Sequence, residues 1–200
     1  MTHQLKIFFD YVCPYCFIGK GIVDELKKEY QLDVEWVPFE LHPETPLEGT
    51  RISQFFENSN IEYMYHVLNT AIKPYNLEFS GKDLMVNTNK ALLATEYAKD
   101  QGRAEAFHAE VFKIYFTEGK NIADEAVLRE VAVRTGLDPD EMMKKVEDGT
   151  YISRLTEARE EASYYEVRST PTFILDDKLK IVGAQSLDVF RKALTESQAG

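Results

Sequence analysis

Cysteine is close to absent: the chain has two in 200 residues, Cys13 and Cys16. A secreted disulfide framework needs more bridges, so that class is excluded. A second C-x-x-C and a closely spaced histidine pair are also missing, and His3, His42, His66 and His108 are scattered. Structural zinc takes about four ligands, so no metal site is expected. No apolar run approaches the roughly 18 residues that would cross a bilayer. The opening residues, Met1-Thr2-His3-Gln4-Leu5-Lys6, hold no long apolar stretch ahead of a small-residue cleavage site. No export signal is therefore expected, and the cytoplasm is the default compartment. Basic residues are outnumbered, 23 Lys and Arg against 34 Asp and Glu, for a net charge of −11. Such a surface repels phosphate backbones and anionic lipid, so neither nucleic acid nor membrane is an expected partner.

Apolar material is plentiful. At 44% hydrophobic and 12% aromatic residues, the chain carries more apolar surface than a solvated, disordered chain does. The length permits one large domain, or one domain carrying an insertion, with a core that needs no staple.

Leu5-Lys6-Ile7-Phe8-Phe9 reads as a buried strand. After a turn at Asp10-Tyr11-Val12, Pro14 is placed as the first residue of a helix, which puts Cys13 at its N-cap and Cys16 in its first turn. Ile18, Ile22, Leu26 and Tyr30 follow at a spacing of four and form one apolar face, while Gly19 and Gly21 mark close packing. Asp33-Val34-Glu35-Trp36-Val37 alternates and meets Pro38, a second strand in a parallel crossover. After the loop His42-Pro43-Glu44-Thr45-Pro46, nearly everything to about Val167 has a helical pattern. Helices are expected from Asn87 to Gln101, Arg103 to Glu118, Asp124 to Thr135, Asp138 to about Gly149, and Ile152 to Tyr165, with glycines after several of them needing positive φ. Asp138-Pro139-Asp140-Glu141 has the makings of a capping box. Strands return at Thr172–Leu175 and Lys180–Val182 around Asp176-Asp177-Lys178, a hairpin, and Ser186 starts a last helix.

The order is β-α-β, a helical block, then β-β-α. The expected fold class is therefore α/β: a thioredoxin-like fold with a four-stranded mixed sheet and a large all-helical insertion. The expected boundaries are residues 1–42 and 168–200 for the thioredoxin-like domain and 43–167 for the insertion.

Cys13-Pro14-Tyr15-Cys16 carries the chemistry. A thiol attacks a disulfide as thiolate. At an N-cap the Cys13 sulfur meets unpaired backbone N–H groups and the positive end of the helix dipole, and both favour the anion. Cys16, one turn in, is close enough to bridge to Cys13 and resolve a mixed disulfide. Pro14 fixes the turn, and Tyr15 projects towards solvent or substrate. Ser169-Thr170-Pro171-Thr172 opens the third strand. In this fold that position lies across from the first cysteine with a cis X-Pro bond. Thr170 would then offer its backbone to an extended substrate.

These residues resemble the DsbA family of thioredoxin-fold proteins, and within it the cytoplasmic FrnE-like branch. The resemblance rests on Phe9-Asp10-Tyr11-Val12-Cys13-Pro14-Tyr15-Cys16, Pro38-Phe39-Glu40-Leu41-His42-Pro43, Asn87-Thr88, Thr170-Pro171-Thr172-Phe173 and Gly183-Ala184-Gln185. It implies thiol–disulfide oxidoreductase activity, with Cys13 as nucleophile, Cys16 as resolving thiol and Pro171 as the cis-proline. Thr170, Pro14 and Tyr15 would contact substrate. Ser169-Thr170 stands where close relatives have Gly-Val, which changes the group beside the sulfur. No cofactor beyond the redox-active disulfide is implied. Protein or small-molecule disulfides and thiols are the expected partners, with glutathione or a thioredoxin system as candidate thiol donors.

Two other classes compete. One is a glutathione-using transferase or isomerase of small aromatic compounds, whose members carry Ser in place of the first cysteine. The other is a holdase-like binding module in which an apolar groove matters more than the thiols. Among other residues, Asp10 is expected to structure the turn, Glu40 and His42 to belong to a loop, and Trp36 to lie in the core. Phe55-Phe56, Tyr63-Tyr65 and Phe112-Tyr115-Phe116 are expected in the core of the insertion, and the Glu157–Glu161 run on a solvated helix face.

Overall fold

A computed structural model describes residues 2–54 and 58–199. Strand β1 (Thr2–Phe9) leads through the Cys13 turn to helix α1 (Pro14–Leu26) and parallel strand β2 (Gln31–Pro38). The chain returns much later with β3 (Thr172–Leu175), β4 (Leu179–Val182) and helix α8 (Leu187–Ala199). The sheet order is β2-β1-β3-β4, with β3 antiparallel to both β1 and β4. The fold is the α/β thioredoxin-like one, a four-stranded mixed sheet with a helical insertion. Both strands of the β-α-β unit start earlier than their apolar runs do. Thr2 pairs with Gln31, so the backbone ladder extends past the buried side chains.

Between β2 and β3 lie α2 (Asn58–Ile72), α3 (Asn89–Asp100), α4 (Ala104–Phe112), α5 (Glu125–Arg134), α6 (Pro139–Glu147) and α7 (Ile152–Tyr164). Local rules explain their ends. The Asp138 carboxylate accepts from the N–H groups of Asp140 and Glu141, and Pro139 takes the first helical position. The expected capping box is only half made, because Glu141 accepts instead from the Tyr97 hydroxyl at 3.0 Å. The expected Arg103–Glu118 helix changes register: α4 gives way to a π-helical turn at Lys113–Thr117.

The helical pattern expected after Pro46 is not continuous. Two irregular stretches, around 43–51 and 76–88, meet in an isolated antiparallel bridge between Thr50 and Met85, with both N–H···O bonds at 2.8 Å. Their conformation is fixed from a distance. The Tyr115 hydroxyl donates to Leu84 O, the Tyr65 hydroxyl donates to Lys82 O, and Ser80 N–H donates to Phe116 O. Tyr63, expected in the core, is 71% exposed on α2. Phe55 and Phe56 lie outside the described residues.

One hydrophobic core runs from the sheet through α1 into the insertion, joining Ile7, Phe9 and Phe17 to Leu92, Phe107 and Phe112. A smaller core on the sheet's other face joins Phe8, Val37 and Ile174 to Ala158 and Ala162 of α7. The Glu157–Glu161 segment is therefore more than a solvated face: Arg159 pairs with Glu40, and Glu161 pairs with Lys6 of β1.

Candidate active site

Phe9 pairs with Pro38 and Phe8 with Thr172, so three chain segments meet at one end of the sheet. The Cys13 turn sits there. Cys13 is the N-cap of α1, with extended φ and ψ, and Pro14 is its first residue. Gly19 and Gly21 let the helix approach its neighbours: a Cβ at Gly19 would lie 3.1 Å from the Phe173 ring.

The turn is held by Asp10. Its carbonyl accepts from Cys13 N–H at 3.2 Å, and its carboxylate Oδ2 accepts from Leu41 N–H at 2.6 Å. The carboxylate is wholly buried, and Oδ1 has no well-formed hydrogen bond. Burial pushes its pKa up to about 6, against the Leu41 N–H and nearby Thr88 and Val12 groups that favour the anion. Beside it, Tyr11 joins the turn to the insertion. Thr95 Oγ1 donates its one proton to Ala91 O at 2.9 Å, so it accepts from the Tyr11 hydroxyl at 2.6 Å. The Tyr11 oxygen then accepts from His108 Nδ1 at 3.3 Å. Burial holds His108 neutral; its Nε2 is an unpartnered acceptor, and its ring lies against Trp36, tilted by 34° at a centroid distance of 4.0 Å.

The two sulfurs differ. The Cys13 thiol donates to the Thr170 carbonyl at 3.3 Å. Its pKa is lowered, first by the Cys16 thiol beside it, then by Thr170 and the N–H groups of Cys16 and Tyr15, against the opposing effect of burial. Cys16 is pushed well above the ordinary thiol value by burial, with the neighbouring Cys13 sulfur adding to it. Cys13 is nonetheless less open than an exposed thiol: it is 6% exposed, against 0% for Cys16. Tyr15 is 47% exposed at the rim. The Thr170–Pro171 peptide bond is cis. The Thr170 hydroxyl is buried without another partner, close enough to both sulfurs to favour their anions.

Cys13, Cys16, Thr170 and Pro14 are thus gathered at one point, with Pro171 packed under α1 beside Gly19. His42 is not brought in: it is exposed and pairs with Glu44 at 3.2 Å. Glu40 turns to Arg159 at 2.8 Å. One feature had no sequence signal, the His108–Tyr11–Thr95 chain; beside the turn lies a cavity of about 170 Å³, lined in part by Tyr65, Tyr115 and Phe116 from the aromatic groups that the sequence singles out. Val12 and Pro14 form one side of that cavity, and Leu68, Phe79, Tyr115 and Phe116 form much of the rest. Among the described residues, no cluster of His, Cys, Asp and Glu could hold a metal ion, and no helix is long and apolar enough to cross a membrane.

The chain is similar to known proteins along almost its whole length. YwbO, an uncharacterized protein of Bacillus subtilis (strain 168), is 32% identical, with 99% of this chain and 98% of that protein covered. The structure of a probable DsbA oxidoreductase from Streptomyces coelicolor superposes with a TM-score of 0.91 at 23% identity, covering 98% of this chain and 90% of that one. The cytosolic disulfide reductase DsbM from Pseudomonas aeruginosa, in a structure with GSH, gives 0.72 at 18% identity and 98% coverage of both chains. At these identities the two structural likenesses speak for the fold. The family model for the DSBA-like thioredoxin domain matches residues 4–195, and the chain belongs to that family.

Proposed function

We propose that this chain is a cytoplasmic thiol–disulfide oxidoreductase of the FrnE-like branch. Cys13 is the nucleophile and Cys16 the resolving thiol. Thr170 and Pro171 present backbone to the substrate, and Pro14 and Tyr15 flank it. The observation that carries this reading is the asymmetry of the two sulfurs, one shifted towards the anion and the other wholly buried and held as a thiol.

The chemistry follows from that asymmetry. Cys13 thiolate attacks one sulfur of a disulfide R–S–S–R′; a Cys13–S–S–R bond forms as the substrate bond breaks, and R′–S⁻ leaves and takes a proton. Cys16 then loses its proton and attacks the Cys13 sulfur, releasing R–S⁻. The protein ends as the Cys13–Cys16 disulfide, oxidised by two electrons, and the substrate ends as two thiols. The reverse sequence oxidises a dithiol substrate. Retention of both cysteines favours this reading over a transferase or isomerase of small aromatic compounds. Glutathione is a candidate thiol partner, since a structure of DsbM contains it.

The test is trapping. Cys16→Ala should accumulate mixed disulfides through Cys13 on non-reducing gels, and Cys13→Ala should accumulate few. Equal trapping by both variants would overturn the assignment. A Cys13→Ser, Cys16→Ser protein that retained full function would favour the holdase reading.

A further inference from the structure

Neither step of the exchange uses the Tyr11 hydroxyl, yet it is tied on two sides. Thr95 of α3 accepts its proton at 2.6 Å, and His108 of α4 donates its Nδ1–H to the same oxygen at 3.3 Å. Tyr11, Thr95 and His108 are all buried, so water does not stand in for either partner. The ring is gripped as well, edge to face against Phe9 and Phe112, each at a centroid distance of 5.0 Å. A phenylalanine would fill this space without a polar group to bury. A hydroxyl set between an acceptor and a donor from two helices fixes direction, which ring packing alone does not.

What it directs is the turn between β1 and α1. Tyr11 follows Asp10, and the peptide groups on either side of Asp10 both meet the cysteine pair. The Asp10 carbonyl accepts from Cys13 N–H at 3.2 Å. The Asp10 N–H meets the Cys16 sulfur: burial holds that sulfur as a thiol, and of the groups favouring its anion the Asp10 N–H comes ahead of the Thr170 hydroxyl. In the second half of the exchange Cys16 gives up its proton and attacks as the anion. A hydrogen bond to a charged group is stronger than one to a neutral group, so the Asp10 N–H contact tightens as that anion forms. Cys13 draws instead on the Cys16 thiol, Thr170 and the N–H groups of Cys16 and Tyr15, none of which belongs to the turn.

From this we infer that Tyr11 is a positioning residue for the resolving step, with Thr95 and His108 as its anchors. Together they hold the Asp10 N–H against the Cys16 sulfur while Cys16 attacks the Cys13–substrate disulfide. The inference rests on the oxidoreductase reading and assigns the insertion a part in one of its two steps. In that step Cys16 loses a proton, the Cys13–Cys16 bond forms, the bond from Cys13 to the substrate sulfur breaks, and R–S⁻ leaves and takes up a proton.

The two steps are separated with the disulfide of thionitrobenzoate, whose released thiolate is coloured. Attack by Cys13 of the reduced protein releases one equivalent at a rate proportional to reagent concentration. Attack by Cys16 releases a second at a rate independent of it. Tyr11→Phe keeps the ring and should slow the second release about 10-fold, the scale of a weakened hydrogen bond to a charged group, and the first by less than about 2-fold. Thr95→Val should act alike, and the two combined should be no slower than either alone, because both break one connection. His108→Asn, whose amide donor can stand where Nδ1 does, should retain the second rate, and His108→Leu should lose it. Tyr97→Phe removes a different hydroxyl bond from α3, the one to Glu141, and should leave both releases as they are. Should Tyr11→Phe fail to fold, the His108 pair decides. A second release unchanged in Tyr11→Phe and His108→Leu, or both releases slowed alike, would overturn the inference and leave the oxidoreductase reading standing. One release or none from the unaltered protein would overturn both.

Discussion

Thr170 meets the Cys13 sulfur through two groups of opposite effect. Its carbonyl accepts the thiol proton, while its hydroxyl is a donor that favours the thiolate. Removing the hydroxyl with Thr170→Val keeps the shape and should raise the Cys13 pKa. Cys16→Ala should raise it further, because the Cys16 thiol is the largest influence on that sulfur. Thiolate absorbance against pH measures both; a Cys13 pKa unchanged in Cys16→Ala would contradict the assignment. Asp10 gives a second residue-scale expectation. Its folded pKa of about 6 exceeds its ordinary value of 3.8, so the folded state holds the proton more tightly than the unfolded one. Stability should therefore fall as pH rises through roughly 4 to 6 and then level off. Asp10→Asn should remove that slope and gain up to about 3 kcal/mol at pH 7, the equivalent of two pKa units. Urea unfolding at pH 4 and pH 7 is the check. The role of Asp10 as a turn-former was legible in the sequence. Its burial was not, because burial comes from the distant 39–41 segment folding over it.

Helix α1 shows which element-scale features a sequence displays. Pro14 at the first position, Cys13 at the cap and the spacing of four from Ile18 are local, and each reads directly from the chain. The close approach at Gly21 reads only as a hint. A Cβ there would lie 2.6 Å from Tyr75 Cβ, across a contact made by a segment more than fifty residues away. Gly21→Ala should therefore cost about 1–3 kcal/mol by overpacking, although alanine is favoured over glycine by about 1 kcal/mol inside a helix. Chemical denaturation measures the sign, and a stabilised variant would show that α1 and Tyr75 separate freely. The 76–88 stretch was illegible for the same reason. Tyr115 and Tyr65 hold it through side-chain bonds to its carbonyls, and no periodicity in its own residues records them.

For the whole molecule, β-α-β and β-β-α around a helical block were readable from pattern. The continuity of one core across sheet and insertion was not, because it depends on which faces meet. Trp36 of β2 packs against His108 of α4, so the lone tryptophan reports the contact between the two parts. Its fluorescence and the far-ultraviolet helix signal should change in one coincident unfolding transition. Two separated transitions would mean that the insertion folds by itself. The two strand-to-insertion passages, 39–42 and 165–171, each touch the site, one through the Asp10–Leu41 bond and the other through Cys13 and Thr170. A sulfur in a disulfide has no proton to give, so oxidation deletes the Cys13–Thr170 bond at the mouth of one passage. If the helical block sits differently in the two states, the electron count at the cysteines and that seating are linked quantities, and linkage is reciprocal. Any molecule that grips the block more tightly in one state moves the midpoint potential of the pair by the same free energy that the oxidation state contributes to its binding.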